Sequence, residues 1–201
     1  MKKLIISILF ILCLSFQASA LGPMMLLSGG GSTACDQVQL PTIDAAQGGD
    51  YDCASASVSK WRATQFVYDG TTGKQICAID LWLEFYGTNS HTYYVAIYSD
   101  DGSDDPDVAL GTSDSQDLSA LGNQQGEEIV SWTFSTPTSA LTNGTKYWVV
   151  FYSTTYDAAA FAEWFWTTTA GEKIVDWNGD GLDAWTNSST TVSCKYKLYS
   201  Q

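Results

Sequence analysis

Apolar and polar residues alternate with a period of two through most of the chain. Cys77, Ile79, Leu81 and Leu83 occupy one phase of such a segment, and Asp80 lies in the other phase. This period places successive side chains on opposite faces of a β-strand. The pattern is rich in β-branched and aromatic residues, and it predicts strands over residues 57–68, 75–85, 92–98, 128–134, 146–152, 159–167 and 191–199.

Clusters of Gly, Asn, Asp, Pro and Ser separate these segments. Asp-Gly at 69–70 and Asn-Gly at 143–144 are dipeptides typical of turns. No window has a helical period, and residues 117–121 are expected to form at most one helical turn. Seven or eight short strands predict an all-β fold, namely a single-domain antiparallel jelly-roll-like β-sandwich over residues 56–201.

The N-terminus has the features of a secretory signal peptide. Lys2 and Lys3 precede an apolar run over residues 4–16, and the small residues at 18–20 match the pattern that signal peptidase cleaves. We therefore expect residues 1–20 to be removed. The alternative is an uncleaved membrane anchor, but the apolar run is too short to span a bilayer.

Residues 21–55 are predicted to form a flexible, irregular arm that includes a Gly-Ser linker at 28–32. The expected location is secreted, extracellular or cell-surface, with the periplasm as an alternative. No membrane contact is expected once the signal peptide has been cleaved.

Composition narrows the functional class. The 201 residues include 22 Asp and Glu against 9 Lys and Arg, which gives a formal net charge of −13. Phosphate backbones and anionic lipid repel such a chain, so we expect neither nucleic acid nor a membrane surface as a partner. Aromatic residues make up 13% of the chain, and this content indicates a folded domain rather than a disordered segment.

Four cysteines remain after signal-peptide cleavage, and an even count in an exported protein suggests two disulfides. Cys77 and Cys194 both occupy the apolar phase of their predicted strands, so a bridge between them would be buried. Cys35 and Cys53 would then close a short loop in the arm. The chain has one histidine and no Cys-x-x-Cys pair, which argues against a zinc site.

Several short motifs follow one another along residues 60–200. They are ATQF at 63–66, VAIYSDDG at 95–102, ALTNGTKYWVV at 140–150 and KYKL at 195–198. This order resembles the choice-of-anchor surface domains of bacteria, in particular the R type. The resemblance implies an exported jelly-roll-like β-sandwich and supplies no catalytic residues. Members of that family carry C-terminal sorting signals, and the lack of one after Gln201 implies a protein that is released or held by its N-terminus.

Catalytic signals are weak. His91 lies in a turn between two predicted strands, where a histidine is usually solvated, and no Gly-x-Ser-x-Gly motif is present. Glu84 and Glu163 are the least ordinary acids, because both occur in aromatic strands. We interpret them as solvent-facing carboxylates on an outer sheet face. A glycoside hydrolase that uses this acid pair is kept as an alternative function.

A calcium site is predicted near the C-terminus. Asp176, Asn178, Asp180 and Asp183 place oxygen ligands at the first, third, fifth and eighth positions of a segment that resembles the first half of an EF-hand loop. The alternative is a polar surface loop over residues 176–187. A second acidic cluster at 100–107 lacks this alternating spacing, and calcium is less expected there.

The remaining candidates are tryptophans. Trp164 and Trp166 share one strand face, and Trp177 and Trp185 flank the acidic loop; all four are predicted ligand-binding residues. Flat indole rings beside Asp and Asn suit sugars, which offer apolar ring faces and hydroxyl groups. The predicted core tryptophans are Trp82, Trp132 and Trp148.

These observations favour a non-enzymatic exported surface or binding module. A glycan is the expected ligand, with a surface partner protein as another candidate, and calcium is the expected cofactor. Besides the hydrolase, the alternative is a structural assembly subunit of an appendage or phage-like particle, in which the arm could exchange between subunits.

Overall fold

The computed structural model describes residues 35–37, 50–52, 60–87, 91–122, 126–154, 160–167, 173–178, 185–189 and 193–201. All of them belong to the compact unit Thr33–Gln201. The predicted signal peptide, the linker and most of the arm lie outside the described residues.

The described residues form fourteen β-strands and one 3₁₀ helix, Ser119–Leu121, which confirms the single helical turn. In chain order the strands are β1 (Asp36–Gln37), β2 (Asp50–Asp52), β3 (Lys60–Val67), β4 (Ile76–Tyr86), β5 (Thr92–Asp100), β6 (Pro106–Thr112), β7 (Gln116–Asp117), β8 (Glu128–Thr133), β9 (Lys146–Ser153), β10 (Phe161–Thr167), β11 (Ile174–Asn178), β12 (Trp185–Ser189), β13 (Ser193–Cys194) and β14 (Tyr196–Ser200). No helix within these described ranges could cross a membrane.

The strands form two antiparallel sheets of seven strands each. In the first sheet the order is β1-β14-β4-β10-β13, with β2 paired to β10 and β8 paired to β4. In the second sheet the order is β12-β11-β3-β9-β5-β6, with β7 paired to β5. The two sheets pack together, so the predicted all-β sandwich is confirmed, while the jelly-roll connectivity stays a prediction.

All seven predicted strands are present, with ends that differ by a few residues and a break at Lys195 in the last one. Six further strands were not predicted: β1, β2, β6, β7, β11 and β12. β6 begins at a proline, which is acceptable at the first residue of an edge strand, where one backbone N–H needs no partner. β11 and β12 pair antiparallel in the segment that we predicted to be a calcium-binding loop, with a polar surface loop as the alternative.

The main core lies between the two sheets and follows the alternation of the strands. In β4 the odd-numbered residues from Ile79 to Phe85 face it, and in β9 Tyr147, Val149 and Phe151 face it. Its largest fully buried side chains include Trp132, Trp164, Tyr68 and Phe66. Apolar burial of this kind stabilises a domain by about 25 cal/mol per Å² of apolar surface removed from water.

The disulfide joins Cys35 to Cys77, with 6.0 Å between their Cα atoms. Both predicted bridges, Cys77–Cys194 and Cys35–Cys53, are therefore wrong. Cys77 and Cys194 are nevertheless both buried, as their positions in the apolar phase of the strands predicted. Cys53 lies outside the described residues.

Strand register explains the error. β14 pairs with β4 so that Tyr196 lies opposite Leu81, which places Cys194 about six residues along β4 from Cys77. At about 3.3 Å per residue this is roughly 20 Å, far beyond the ~7 Å between Cα atoms that a disulfide tolerates. β1 instead pairs with the end of β14 beside Cys77 and so brings Cys35 within reach.

Candidate functional site

Aromatic residues lie in register on five neighbouring strands of the second sheet. Trp185 of β12 lies opposite Trp177 of β11, and Trp177 lies opposite Trp61 of β3. The ring of Trp61 stacks on Tyr152 of β9 with 4.3 Å between ring centroids. Tyr152 in turn lies opposite Tyr94 of β5, with 5.3 Å between the ring centroids. We call Trp185, Trp177, Trp61, Tyr152 and Tyr94 the aromatic row.

The aromatic row lies on the outer face of the sandwich. Trp61, Tyr152 and Trp185 pack against a second apolar cluster, separate from the main core, which is formed by Ala63, Trp148, Val150 and Val175. All four cluster residues are fully buried. The side chains of Trp61, Tyr94, Tyr152 and Trp185 are each half-buried. The rings of Trp61, Tyr152 and Tyr94 therefore support one another by stacking, those of Trp61, Tyr152 and Trp185 rest on the buried cluster, and part of each of these four side chains stays accessible.

Phenol hydroxyls accompany the rings. Burial raises the pKa of Tyr98, and the neighbouring Tyr152 adds to the increase. Burial also raises the pKa of Tyr152, Tyr94 raises it further, and a hydrogen bond with Thr112 partly offsets the rise. These phenols therefore stay neutral at physiological pH, and each hydroxyl can both donate and accept a hydrogen bond.

A fixed polar edge adjoins this surface at Asp100. The carboxylate oxygen Oδ2 of Asp100 accepts a hydrogen bond from Trp148 Nε1 at 3.0 Å and another from Gln65 Nε2 at 3.3 Å. Its other oxygen, Oδ1, accepts one from the backbone N–H of Gly102 at 2.9 Å. Because Gln65 and Trp148 are buried, these bonds fix the start of the acidic loop at residues 100–107 against the sheet.

Two lysines tie the acidic loop to its surroundings. Lys146 forms an ion pair with Asp104, and Lys173 Nζ donates to the backbone oxygen of Asp104 at 2.6 Å and to Asp105 Oδ1 at 3.1 Å. The hydrogen bond from Lys146 is the largest cause of the lowered pKa of Asp104, followed by that from Gln65. Hydrogen-bond donors of the protein itself therefore satisfy these carboxylates.

An open cavity of about 510 Å³ adjoins this polar edge. Asp100 and Lys146 belong both to the cavity wall and to the loop contacts described above. The lining residues are Ser99, Asp100, Gly102, Leu110, Ala140, Thr145, Lys146 and Tyr147. Most of the accessible cavity wall is apolar, and Asp100 and Lys146 supply its charged groups.

The four predicted ligand-binding tryptophans lie in different environments. Trp164 is fully buried in the main core, and its Nε1 donates to the backbone oxygen of Lys195 at 2.7 Å. It therefore offers no surface to a ligand, which corrects the prediction for this residue. Trp166 is half-buried against the same core, whereas Trp185 and, by its backbone register, Trp177 belong to the aromatic row. Trp82, Trp132 and Trp148 are buried as predicted, Trp148 in the second cluster.

The predicted calcium ligands are only partly described. Asp176 and Asn178 lie in β11, in strand conformation rather than in a loop, and Asp180 and Asp183 lie outside the described residues. Within the described ranges there is no group of three or more metal-ligating side chains. Calcium binding stays a prediction from ligand spacing.

Three candidate catalytic residues are buried rather than solvated. Glu84 and Glu163 lie directly opposite each other on β4 and β10, with 7% and 8% of their surface exposed. Their strand neighbours face the main core, so both glutamates point to the outer face of the first sheet. His91 is also buried, which corrects its interpretation as a solvated turn residue.

Sequence analysis missed Trp61, Tyr94 and Tyr152 as site residues. Each occupies the phase opposite to the core residues of its strand, where a polar residue is ordinary on a solvated face. The sequence signal that could have identified them is an aromatic residue at an outward-facing position in each of several strands. Their alignment across the sheet depends on register, which local sequence does not reveal.

The molecule is thus an all-β sandwich with a row of partly exposed aromatic residues on one outer face. No protein family model and no curated protein matches this sequence. The resemblance to choice-of-anchor domains stays an expectation from the sequence motifs.

Proposed function

We propose that the protein is a non-enzymatic exported binding module whose aromatic row binds a glycan. The aromatic row carries the proposal, since aromatic residues align on five neighbouring strands of one sheet and four of their side chains are partly exposed. Aromatic side chains that stay partly exposed side by side on one face support the docking of a ligand there.

The chemistry of the row suits a sugar. Sugar rings have apolar C–H groups that pack against aromatic surface, and their hydroxyls need hydrogen-bond partners beside that contact. The neutral phenol of Tyr152 lies within the row, and that of Tyr98 lies beside it. The stacking of Trp61 on Tyr152 and of Tyr152 on Tyr94 orders these rings in advance, so binding loses little side-chain entropy.

Export is supported by the signal-peptide pattern and by the Cys35–Cys77 disulfide, because disulfides persist mainly in oxidising compartments. The resemblance to choice-of-anchor domains supports a place at or outside the cell surface. The acidic net charge fits a ligand other than nucleic acid.

The test is affinity gel electrophoresis of the wild type in gels that contain xylan, galactomannan, hydroxyethyl cellulose or mixed-linkage β-glucan. We expect at least one polysaccharide to retard the protein and Trp61→Ala to abolish the retardation. Tyr86→Ala is the matched control, since Tyr86 is half-buried and stacks on Phe161 at 4.9 Å on the outer face of the other sheet.

Two results would contradict the proposal. One is that no polysaccharide retards the wild type, and the other is that Tyr86→Ala loses retardation as fully as Trp61→Ala. Light scattering that shows an oligomer, dissociated by Trp61→Ala, would assign the aromatic row to the alternative of an assembly subunit.

One observation favours a second candidate, a glycoside hydrolase. Glu84 and Glu163 lie at directly opposite positions, which puts their Cβ atoms about 5 Å apart, and retaining glycosidases need two carboxyls at about 5 to 5.5 Å. Their burial argues against access of a polymer, and they lie on the sheet opposite the aromatic row. A reducing-sugar assay with Glu163→Gln decides: release of new chain ends by the wild type and none by the variant would favour this candidate.

A further inference from the structure

We propose that the ligand is a neutral, linear polysaccharide whose chain lies along the aromatic row, across the strands rather than parallel to them. This inference rests on the proposed function and adds to it the class of glycan and the direction of the bound chain.

The extent of the aromatic surface supports this direction. The row occupies five neighbouring strands, β12, β11, β3, β9 and β5, and neighbouring strands lie about 4.8 Å apart, so its two ends are roughly 19 Å apart. Partly exposed aromatic side chains occur on four of these strands, β12, β3, β9 and β5, and on β11 Trp177 lies in register by its backbone. A repeating polymer can use such a surface over its whole length, whereas a single sugar would use one or two rings.

The surface changes character along the strands. On β11, β3, β9 and β5, the residue two positions from the row lies on the same face of the sheet. In that strand order these residues are Val175, Ala63, Val150 and Ala96, and they lie opposite one another. All four are small or medium-sized aliphatic side chains with no exposed surface. Accessible aromatic contact therefore continues from strand to strand but is interrupted along each strand.

The end of the row at Trp185 favours an internal segment of a polymer. Trp185 lies on β12, and β12 is an edge strand among the described strands. A chain that follows the row can continue past this edge of the sheet. The site would then bind the middle of a long molecule rather than a chain end.

Charge favours a neutral polymer. The two lysines near the polar edge, Lys146 and Lys173, already bond to Asp104 and Asp105 of the acidic loop. A uronic-acid polymer would have to compete with these carboxylates for the lysines. It would also approach a chain with a formal net charge of −13, and like charges repel a polyanion over the whole approach.

Isothermal titration calorimetry with a length series tests the proposal. The probes are oligosaccharides of two to six units from the neutral polysaccharide that retards the protein, with polygalacturonate as the acidic comparator. We expect the affinity to rise with length until the row is covered and then to level off, and we expect no binding of polygalacturonate.

Variants at the two ends of the row sharpen the test. Trp185→Ala and Tyr94→Ala each remove one end, four strands apart, and should weaken binding of the hexasaccharide by roughly 2- to 12-fold, the equivalent of one aromatic contact. Binding of the disaccharide should change less than that. Circular dichroism of both variants controls for folding.

The outcomes separate this inference from the function on which it rests. If no neutral or acidic polysaccharide binds, the proposed function fails. If binding is real but the disaccharide binds as tightly as the hexasaccharide, or polygalacturonate binds as tightly as the neutral polymer, the inferred class and direction are overturned while glycan binding stands. Unchanged hexasaccharide binding in both end variants would also overturn the direction.

Discussion

Removal of the Cys35–Cys77 disulfide should lower the free energy of unfolding by about 4 kcal/mol at 25 °C, chiefly by restoring conformational freedom to the unfolded chain. The bridge joins residues 42 positions apart, and the estimate follows from the loop-closure entropy of a loop of that length. In a domain of this size, such a loss lowers the melting temperature by roughly 8 to 16 °C. The native state also loses a restraint on β1, which pairs with β14 through only Asp36 and Gln37.

Differential scanning calorimetry of the wild type, with and without reductant, and of Cys35→Ser measures this effect. Cys35 is exposed, so a reductant can reach the bridge. Cys194→Ala is the control: Cys194 belongs to the main core and not to this bridge, so the variant should keep its sensitivity to reductant. An unchanged melting temperature on reduction, or loss of the sensitivity in Cys194→Ala, would refute the register argument. Mass spectrometry of a non-reduced digest should show the Cys35 and Cys77 peptides linked.

Four further predictions address stability. The hydrogen bond from Lys146 lowers the folded-state pKa of Asp104 below 3.8. The stability that ionised Asp104 contributes is therefore present above that pH and is lost as the pH falls through the folded-state pKa. Melting temperatures measured from pH 7 to pH 2 should fall less steeply at the acid end for Asp104→Asn than for the wild type. Burial raises the folded-state pKa of Tyr98 above 10.0, so the free energy of unfolding should fall as the pH rises from 10.0 through the folded-state pKa. Urea unfolding at pH 9 and pH 11 should show a smaller fall for Tyr98→Phe than for the wild type. Trp132→Ala, at a fully buried position, should cost about 3 to 5 kcal/mol in urea unfolding. Calcium, proposed from ligand spacing, should raise the melting temperature by a few degrees, and Asp180→Ala should erase that rise.

Alternation alone predicted most of the fold, because each long strand has one face in the main core. β4 is the clearest case, with Ile79, Leu81 and Leu83 in the core. β11 and β12 were not predicted because β11 ends in Asp176-Trp177-Asn178, β12 consists mainly of Thr, Asn and Ser, and Asn-Gly and Asp-Gly turn dipeptides occur between them. Pairing with β3 makes β11 a strand despite this composition, an effect of tertiary context that local propensity does not contain.

The candidate site was harder to predict than the fold. In β10 both phases are aromatic, so the sequence did not decide which face is buried, and Trp164 was assigned to the ligand surface although it lies in the core. The aromatic row joins residues from distant parts of the chain, such as Trp61 and Tyr152. Its existence depends on the register of five strands, and the same lack of register information produced the wrong disulfide pairing.

Aromatic carbon NMR of the protein, titrated with the neutral hexasaccharide, tests the central claim most directly. We expect the largest shift changes at Trp61, Tyr94, Tyr152 and Trp185, with Tyr86 on the opposite face unchanged. Changes confined to Tyr86 and its neighbours, or no changes at a hexasaccharide concentration that saturates the calorimetric signal, would contradict the assignment of glycan binding to the aromatic row.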